Sequence, residues 1–81
     1  MRFPSYNEVM KMREQYPKGT RVKLVQMDDE QAPPTGTEGT VLGVDDTGSV
    51  MVAWDNGSGL NVICGIDRIQ YYQTRIINPT I

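Results

Sequence analysis

Six carboxylates in the middle of the chain hold most of what this sequence offers as chemistry: Asp28-Asp29-Glu30, Asp45-Asp46 and Asp55. Clustered carboxylates can share a proton as acid and base, hold a hard cation, or attract a basic partner. The first use calls for a nucleophile or a second titrating group in a cleft. The chain has no histidine and one cysteine, Cys64, and these acids fall in turn-like stretches, so catalysis is not expected. Calcium needs oxygen ligands at alternating positions closed by a glutamate, and neither acidic run has that spacing. A cysteine–histidine zinc site and an internal disulfide are excluded by composition. Cys64 falls on the apolar side of its segment and reads as a small buried hydrophobe. No lysine follows a glycine-rich loop in the manner of a phosphate cradle. No cofactor and no metal are therefore expected, which leaves attraction of a basic partner.

Charge is unevenly placed along the 81 residues. Residues 1–23 hold six bases and two acids, residues 24–67 hold eight acids and no base, and residues 68–81 add Arg68 and Arg75. The net charge of −2 conceals a −8 segment beside a +4 one. A field of one sign draws basic proteins and repels nucleic-acid phosphate. Aspartate is also a favoured turn residue for backbone reasons, which is the plainer explanation.

The elements that must position these acids are short. Ser5 with Glu8 three residues on forms a capping box and opens a helix over residues 5–16, which Tyr16-Pro17 ends. Tyr6, Val9, Met10 and the stem of Arg13 are expected on its inner face. Thr20 to Met27 reads as a strand with Val22 and Leu24 inward and Arg21 and Lys23 outward. Asp28 to Gly36 follows as a surface loop stiffened by Pro33-Pro34. Residues 37–64 are the centre of the design, three alternating strands joined by Asp45-Asp46-Thr47-Gly48 and Asp55-Asn56-Gly57-Ser58-Gly59. Val50, Val52 and Trp54 share one face, and Leu60, Val62 and Cys64 alternate after them. Gly39 and Gly43 permit sharp coiling. Gly65-Ile66-Asp67 turns the chain into a closing strand, Arg68 to Tyr72, with Ile69 and Tyr71 on one face.

Five short strands with glycine-marked bends and one short N-terminal helix describe a mainly β chain, an SH3-like small antiparallel barrel over residues 1–72. Residues 73–81 have no assignable barrel role. Without an apolar run of membrane-spanning length or a signal peptide, a cytoplasmic location is the default expectation.

Four motifs agree in order and spacing with a known pattern: Tyr16-Pro17-Lys18-Gly19-Thr20-Arg21-Val22, Met27-Asp28-Asp29 through Ala32-Pro33-Pro34, Gly36-Thr37-Glu38-Gly39-Thr40-Val41, and Val52-Ala53-Trp54-Asp55-Asn56-Gly57. Over about residues 1–70 the chain resembles a small bacterial domain-of-unknown-function family, found in Gram-positive bacteria, their mobile elements and phages. The resemblance implies an SH3-like barrel and leaves activity open. A looser likeness exists to the Mind-bomb/HERC-type domain of ubiquitin ligases, through Gly-x-Arg-Val, Gly-Thr-Val and Val-x-Trp-Asp-x-Gly. Members of that class recognise peptides. Here an acidic Pro-Pro loop stands where those domains carry a tryptophan-rich one.

The functional expectation is a non-enzymatic protein-binding module. Asp28, Asp29, Glu30, Asp45, Asp46 and Asp55 would meet a basic partner, with Tyr71 supplying an aromatic surface beside Tyr16 and Tyr72. Trp54 is read as core. The mobile-element resemblance implies a sharper form, an inhibitor seated in the basic groove of a host nucleic-acid enzyme. Two alternatives stay open. Lys11, Arg13, Lys18, Arg21, Lys23, Arg68 and Arg75 could line up as a nucleic-acid-binding stripe, or Ile76, Ile77 and Ile81 could serve a structural, dimerising role.

Overall fold

A computed structural model describes residues 4–63 and 65–72. The readings of Cys64 and of residues 73–81 lie outside that range. The element order is α1 (Tyr6–Gln15), β1 (Arg21–Gln26), β2 (Glu38–Val44), β3 (Ser49–Trp54), β4 (Val62–Ile63) and β5 (Arg68–Tyr71). All pairings are antiparallel, and the strands form one sheet in the order β4-β3-β2-β1-β5. The chain is thus mainly β, five strands curled into a small barrel-like sheet with one short helix.

Alternation explains the core. Val22 and Leu24 of β1, Val41 and Val44 of β2, and Val50, Val52 and Trp54 of β3 are buried, and Val62 joins them from β4. These strands keep a period of two until a bulge resets it. In β2 the register shifts between Val41 and Gly43, so Val44 turns inward while Leu42 stands 52% exposed. A second shift between Leu24 and Gln26 leaves Val25 partly exposed. Such extra residues bend a sheet and raise its twist, which a short barrel needs. The core is dominated by valine, so Trp54 supplies much of its bulk.

The helix begins as its sequence dictates. The Glu8 amide donates to Ser5 Oγ at 3.2 Å, and the Ser5 amide donates to Glu8 Oε1 at 2.7 Å. Ser5→Ala is expected to cost about 1 kcal/mol of stability, read from urea unfolding. A loss under a few tenths would mean that the cap is idle. The buried face differs from the expected one. Val9 is buried, and Met12 and Tyr16 pack on the core, whereas Tyr6 is 74% exposed and Met10 is half-exposed. Val9, Met12 and Tyr16 follow an i, i+3, i+7 row of their own. What selects that row is the docking of the helix end: Arg13 Nε donates to the Val44 carbonyl at 3.1 Å. At the other end the Pro4 ring occupies the space a side chain at Gly48 would need, and Gly48 itself has φ +84°.

β4 also begins later than the Leu60–Cys64 run predicts. The Trp54 amide donates to Ser58 O at 3.1 Å and its indole Nε1 to Leu60 O at 2.9 Å. With its carbonyl taken by the indole, Leu60 belongs to the loop, and ladder pairing starts at Val62.

Candidate functional site

The predicted acidic residues occupy three separate places. Asp45 and Asp46 follow β2 at the end nearest the helix. Asp55 follows β3 at the opposite end, where its amide donates to Glu38 O at 2.8 Å. Asp28, Asp29 and Glu30 lie in the loop between β1 and β2, exposed to solvent.

Each place treats its carboxylates differently. Arg21 spans β1, β2 and the loop after β3. Its guanidinium forks Asp55, Nη1 to Oδ1 at 3.0 Å and Nη2 to Oδ2 at 2.7 Å, and also donates to Thr40 Oγ1 at 2.8 Å. Glu38 stands at 3.4 Å from the same guanidinium. Hydrogen bonding to Arg21 holds the Asp55 carboxyl below its ordinary value. Asp46 pairs with Arg13 at 2.8 Å. Asp45 Oδ1 is absorbed by its own turn, accepting from the Thr47 hydroxyl at 2.7 Å and from the Ser49 and Thr47 amides. These bonds, the Thr47 hydroxyl foremost, lower its pKa as well.

Folding therefore favours the ionised form of both Asp45 and Asp55. Their contribution to stability is complete above the ordinary carboxyl value of 3.8 and is lost as pH falls below it. The melting temperature is expected to hold from neutral pH to roughly pH 5 and to fall below it. Asp45→Asn should start lower and show a flatter acid limb. An acid limb parallel to that of the unaltered chain would remove Asp45 from this account.

The loop acids are different. No cation pairs with Asp28, Asp29 or Glu30 among the described residues. The loop is nevertheless held in place. Pro33 is buried, the Gln31 amide donates to Asp29 Oδ1 at 2.7 Å, and the Gly36 amide donates to Leu24 O at 2.8 Å. The Asp28 amide donates to Asp67 Oδ1 at 3.0 Å, and the other oxygen of Asp67 accepts from the Ile63 amide at 2.9 Å. One carboxylate thus ties the acidic loop to the turn between β4 and β5.

Asp67 also stands at the edge of a groove of about 440 Å³ between the helix, β4 and β5. Its lining includes the core residues Val50 and Val62, with Met12, Tyr16 and Ile69 around them. Tyr71 lies beyond it on β5. Its ring stacks on Tyr16 with centroids 5.4 Å apart, and its hydroxyl donates to the Gln15 carbonyl at 2.7 Å. Tyr71 is therefore a brace between sheet and helix as well as an exposed aromatic. On the outer face, Lys23 Nζ lies 5.9 Å from the Tyr72 ring centroid.

Of the basic residues, Arg13 and Arg21 are engaged by carboxylates. Among the described residues no three His, Cys, Asp or Glu side chains gather to hold a metal ion. No helix there is long and apolar enough to cross a membrane. The model of one protein family, described as Domain of unknown function (DUF4314), matches residues 5–72. The chain belongs to this family. The matched stretch runs from the Ser5 cap to the residue after β5, so it takes in the whole DUF4314 sheet, the acidic loop and the groove. No curated protein and no solved structure matches the chain.

Proposed function

We propose that this DUF4314 chain is a non-enzymatic protein-binding module of SH3-like type whose acidic loop meets a basic surface of another protein. The observation that carries the reading is the different fate of the acids. Asp46 and Asp55 are matched by arginines, while Asp28, Asp29 and Glu30 are held on an anchored loop with no cation beside them among the described residues. A braced loop loses less conformational entropy when a partner orders it. Its unpaired charges raise the encounter rate with a basic surface in a salt-dependent way. The engagement of Arg13 and Arg21 supports this reading over binding of nucleic acid.

Capture of partners from cell lysate by the immobilised chain tests it. The triple variant D28K/D29K/E30K should lose at least ten-fold of the captured protein, and about 0.5 M salt should do the same to the unaltered chain. Glu14→Lys, on the exposed helix surface, should leave capture intact. Equal capture by the triple variant would reject the acidic loop as the contact. A finer form of the proposal is inhibition of a host nucleic-acid enzyme by occupation of its basic groove. Dose-dependent inhibition of nucleases by the chain, absent from the triple variant, would support that form. Inertness at low salt against every nuclease tried would count against it.

A further inference from the structure

Asn56-Gly57 sits in the turn after β3, and an asparagine followed by glycine is open to attack by its own backbone. The Gly57 nitrogen can close on Asn56 Cγ to form a five-membered imide, because glycine has no side chain to obstruct the approach. Of the four asparagines in the chain only Asn56 precedes glycine. Asn7 precedes Glu8 within α1, Asn61 precedes the β-branched Val62, and Pro79 after Asn78 has no amide proton to release.

The folded turn both exposes this pair and restrains it. Asn56 and Gly57 are exposed, and nothing lies within 4 Å of a β-carbon added at Gly57, so water and hydroxide reach the turn. The reacting groups are nevertheless held apart by hydrogen bonds. The Gly57 amide, the nucleophile, donates its proton to Trp54 O at 2.9 Å. Asn56 Oδ1 accepts from the Ser58 amide at 3.0 Å, which directs the carboxamide toward Ser58. The Trp54 amide closes the turn on Ser58 O at 3.1 Å. Attack must free the Gly57 amide from Trp54 and swing the carboxamide away from Ser58. Both bonds release together when the turn opens.

We propose that Asn56 is a deamidation site guarded by the native turn, so that its modification records opening of the β3–β4 connection. In the opened turn the Gly57 nitrogen bonds to Asn56 Cγ. The Cγ–Nδ2 bond breaks, and Nδ2 leaves as ammonia with the proton that Gly57 gives up. Water then opens the imide at either carbonyl. Cleavage at Cγ gives aspartate, whose carboxylate still accepts from the Ser58 amide. Cleavage at the backbone carbonyl gives isoaspartate, which routes the main chain through the β-carbon. That longer path carries Gly57 and Ser58 out of register with Trp54, and with them the loop whose Leu60 carbonyl holds the indole. The isoaspartyl chain therefore refolds to a weaker hairpin, and the mark of opening is permanent. None of this depends on the acidic loop having a partner.

Incubation of the full chain in mildly alkaline buffer, with and without urea, tests the proposal, with mass spectrometry and peptide mapping as the readout. Conversion at Asn56 should be faster in urea than in the folded chain by roughly ten-fold or more. Circular dichroism on the same samples should show the folded sample folded throughout. Asn56→Asp reproduces the aspartyl product and should melt close to the unaltered chain. The isoaspartyl product, separated and refolded, should melt below Asn56→Asp. A folded rate equal to or above the rate in urea would overturn the guarding role of the turn. Conversion that is absent in urea, or faster at Asn7 or Asn61, would overturn the assignment of the site. Equal melting of the isoaspartyl product and Asn56→Asp would overturn the lasting effect on the hairpin.

Discussion

Gly39→Ala is expected to remove about 3 kcal/mol of stability, the upper end of what overpacking costs. In the sheet Gly39 is flanked by Val22 on one side and Trp54 on the other. A β-carbon there would stand 2.6 Å from Val52 Cγ1, 2.8 Å from Trp54 Cε3 and 3.0 Å from the Ala53 carbonyl oxygen. Side chains can yield by rotating, but a backbone oxygen in a ladder moves only with its strand. One methyl group therefore pushes β2 from β3 at the centre of the barrel. For a domain of this size, each kcal/mol shifts the melting temperature by roughly 4–8 °C, so a drop above 10 °C is expected. Gly59→Ala is the matched control, since nothing lies within 4 Å of the added carbon. It should melt within about 2 °C of the unaltered chain. Similar melting of the two variants would show that β2 and β3 have slack where the geometry allows none.

Gly39 also marks how much of the fold the sequence displays. Period-two alternation places Val22, Leu24, Val50, Val52 and Trp54 inward, and the Ser5–Glu8 pair places the start of the helix, because both are local rules. The inner face of the helix is not local. Two rows of the helix carry apolar residues, Tyr6 with Met10 and Val9 with Met12 and Tyr16. Only the anchoring of Arg13 on the Val44 carbonyl, 31 positions away, decides between them. The bulge that turns Leu42 outward has a sequence signal in Gly43, yet which neighbour it ejects depends on pairing with β3. β4 starts late because a tryptophan ring takes a carbonyl six residues on.

The electrostatics are legible in one respect and hidden in another. That Asp45 serves its own turn follows from the Asp-x-Thr-Gly-Ser spacing, and its three hydrogen bonds come from residues two and four positions ahead. A running count of charge from residue 24 to residue 67 finds no base, and the count is right. The cations that answer Asp46 and Asp55 sit outside that window, on α1 and β1, and reach their partners across 33 and 34 positions. Antiparallel pairing brings Arg21 beside Thr40, one strand from Asp55, which no linear window can register. Among the described residues no cation answers the 28–30 loop, whose three acids stand exposed at the surface.

Trp54→Ala is expected to cost about 4 kcal/mol, within the usual range for removing a large aromatic core residue. In a domain whose whole stability is of order 5–10 kcal/mol, that leaves a sizeable unfolded fraction on mild heating. The valine-rich surroundings make the loss severe. Val41, Val50 and Val52 have short, stiff side chains that cannot reach into a cavity of indole size. Trp54→Phe separates volume from hydrogen bonding. It keeps most of the apolar contact but removes the donor to the Leu60 carbonyl, 2.9 Å from Nε1, and should cost about 2 kcal/mol. Its effect should also be local. With the Leu60 carbonyl released, amides of the 58–63 segment should exchange faster than those of β1 and β2. Trp54 is the only tryptophan, so its fluorescence reports the folded state of the unaltered chain directly, while the variants are followed by circular dichroism. A phenylalanine variant with unaltered stability and unaltered exchange would mean that the indole fills space without fixing the entry to β4. The late start of β4, and the groove that opens beside it, would then need another cause.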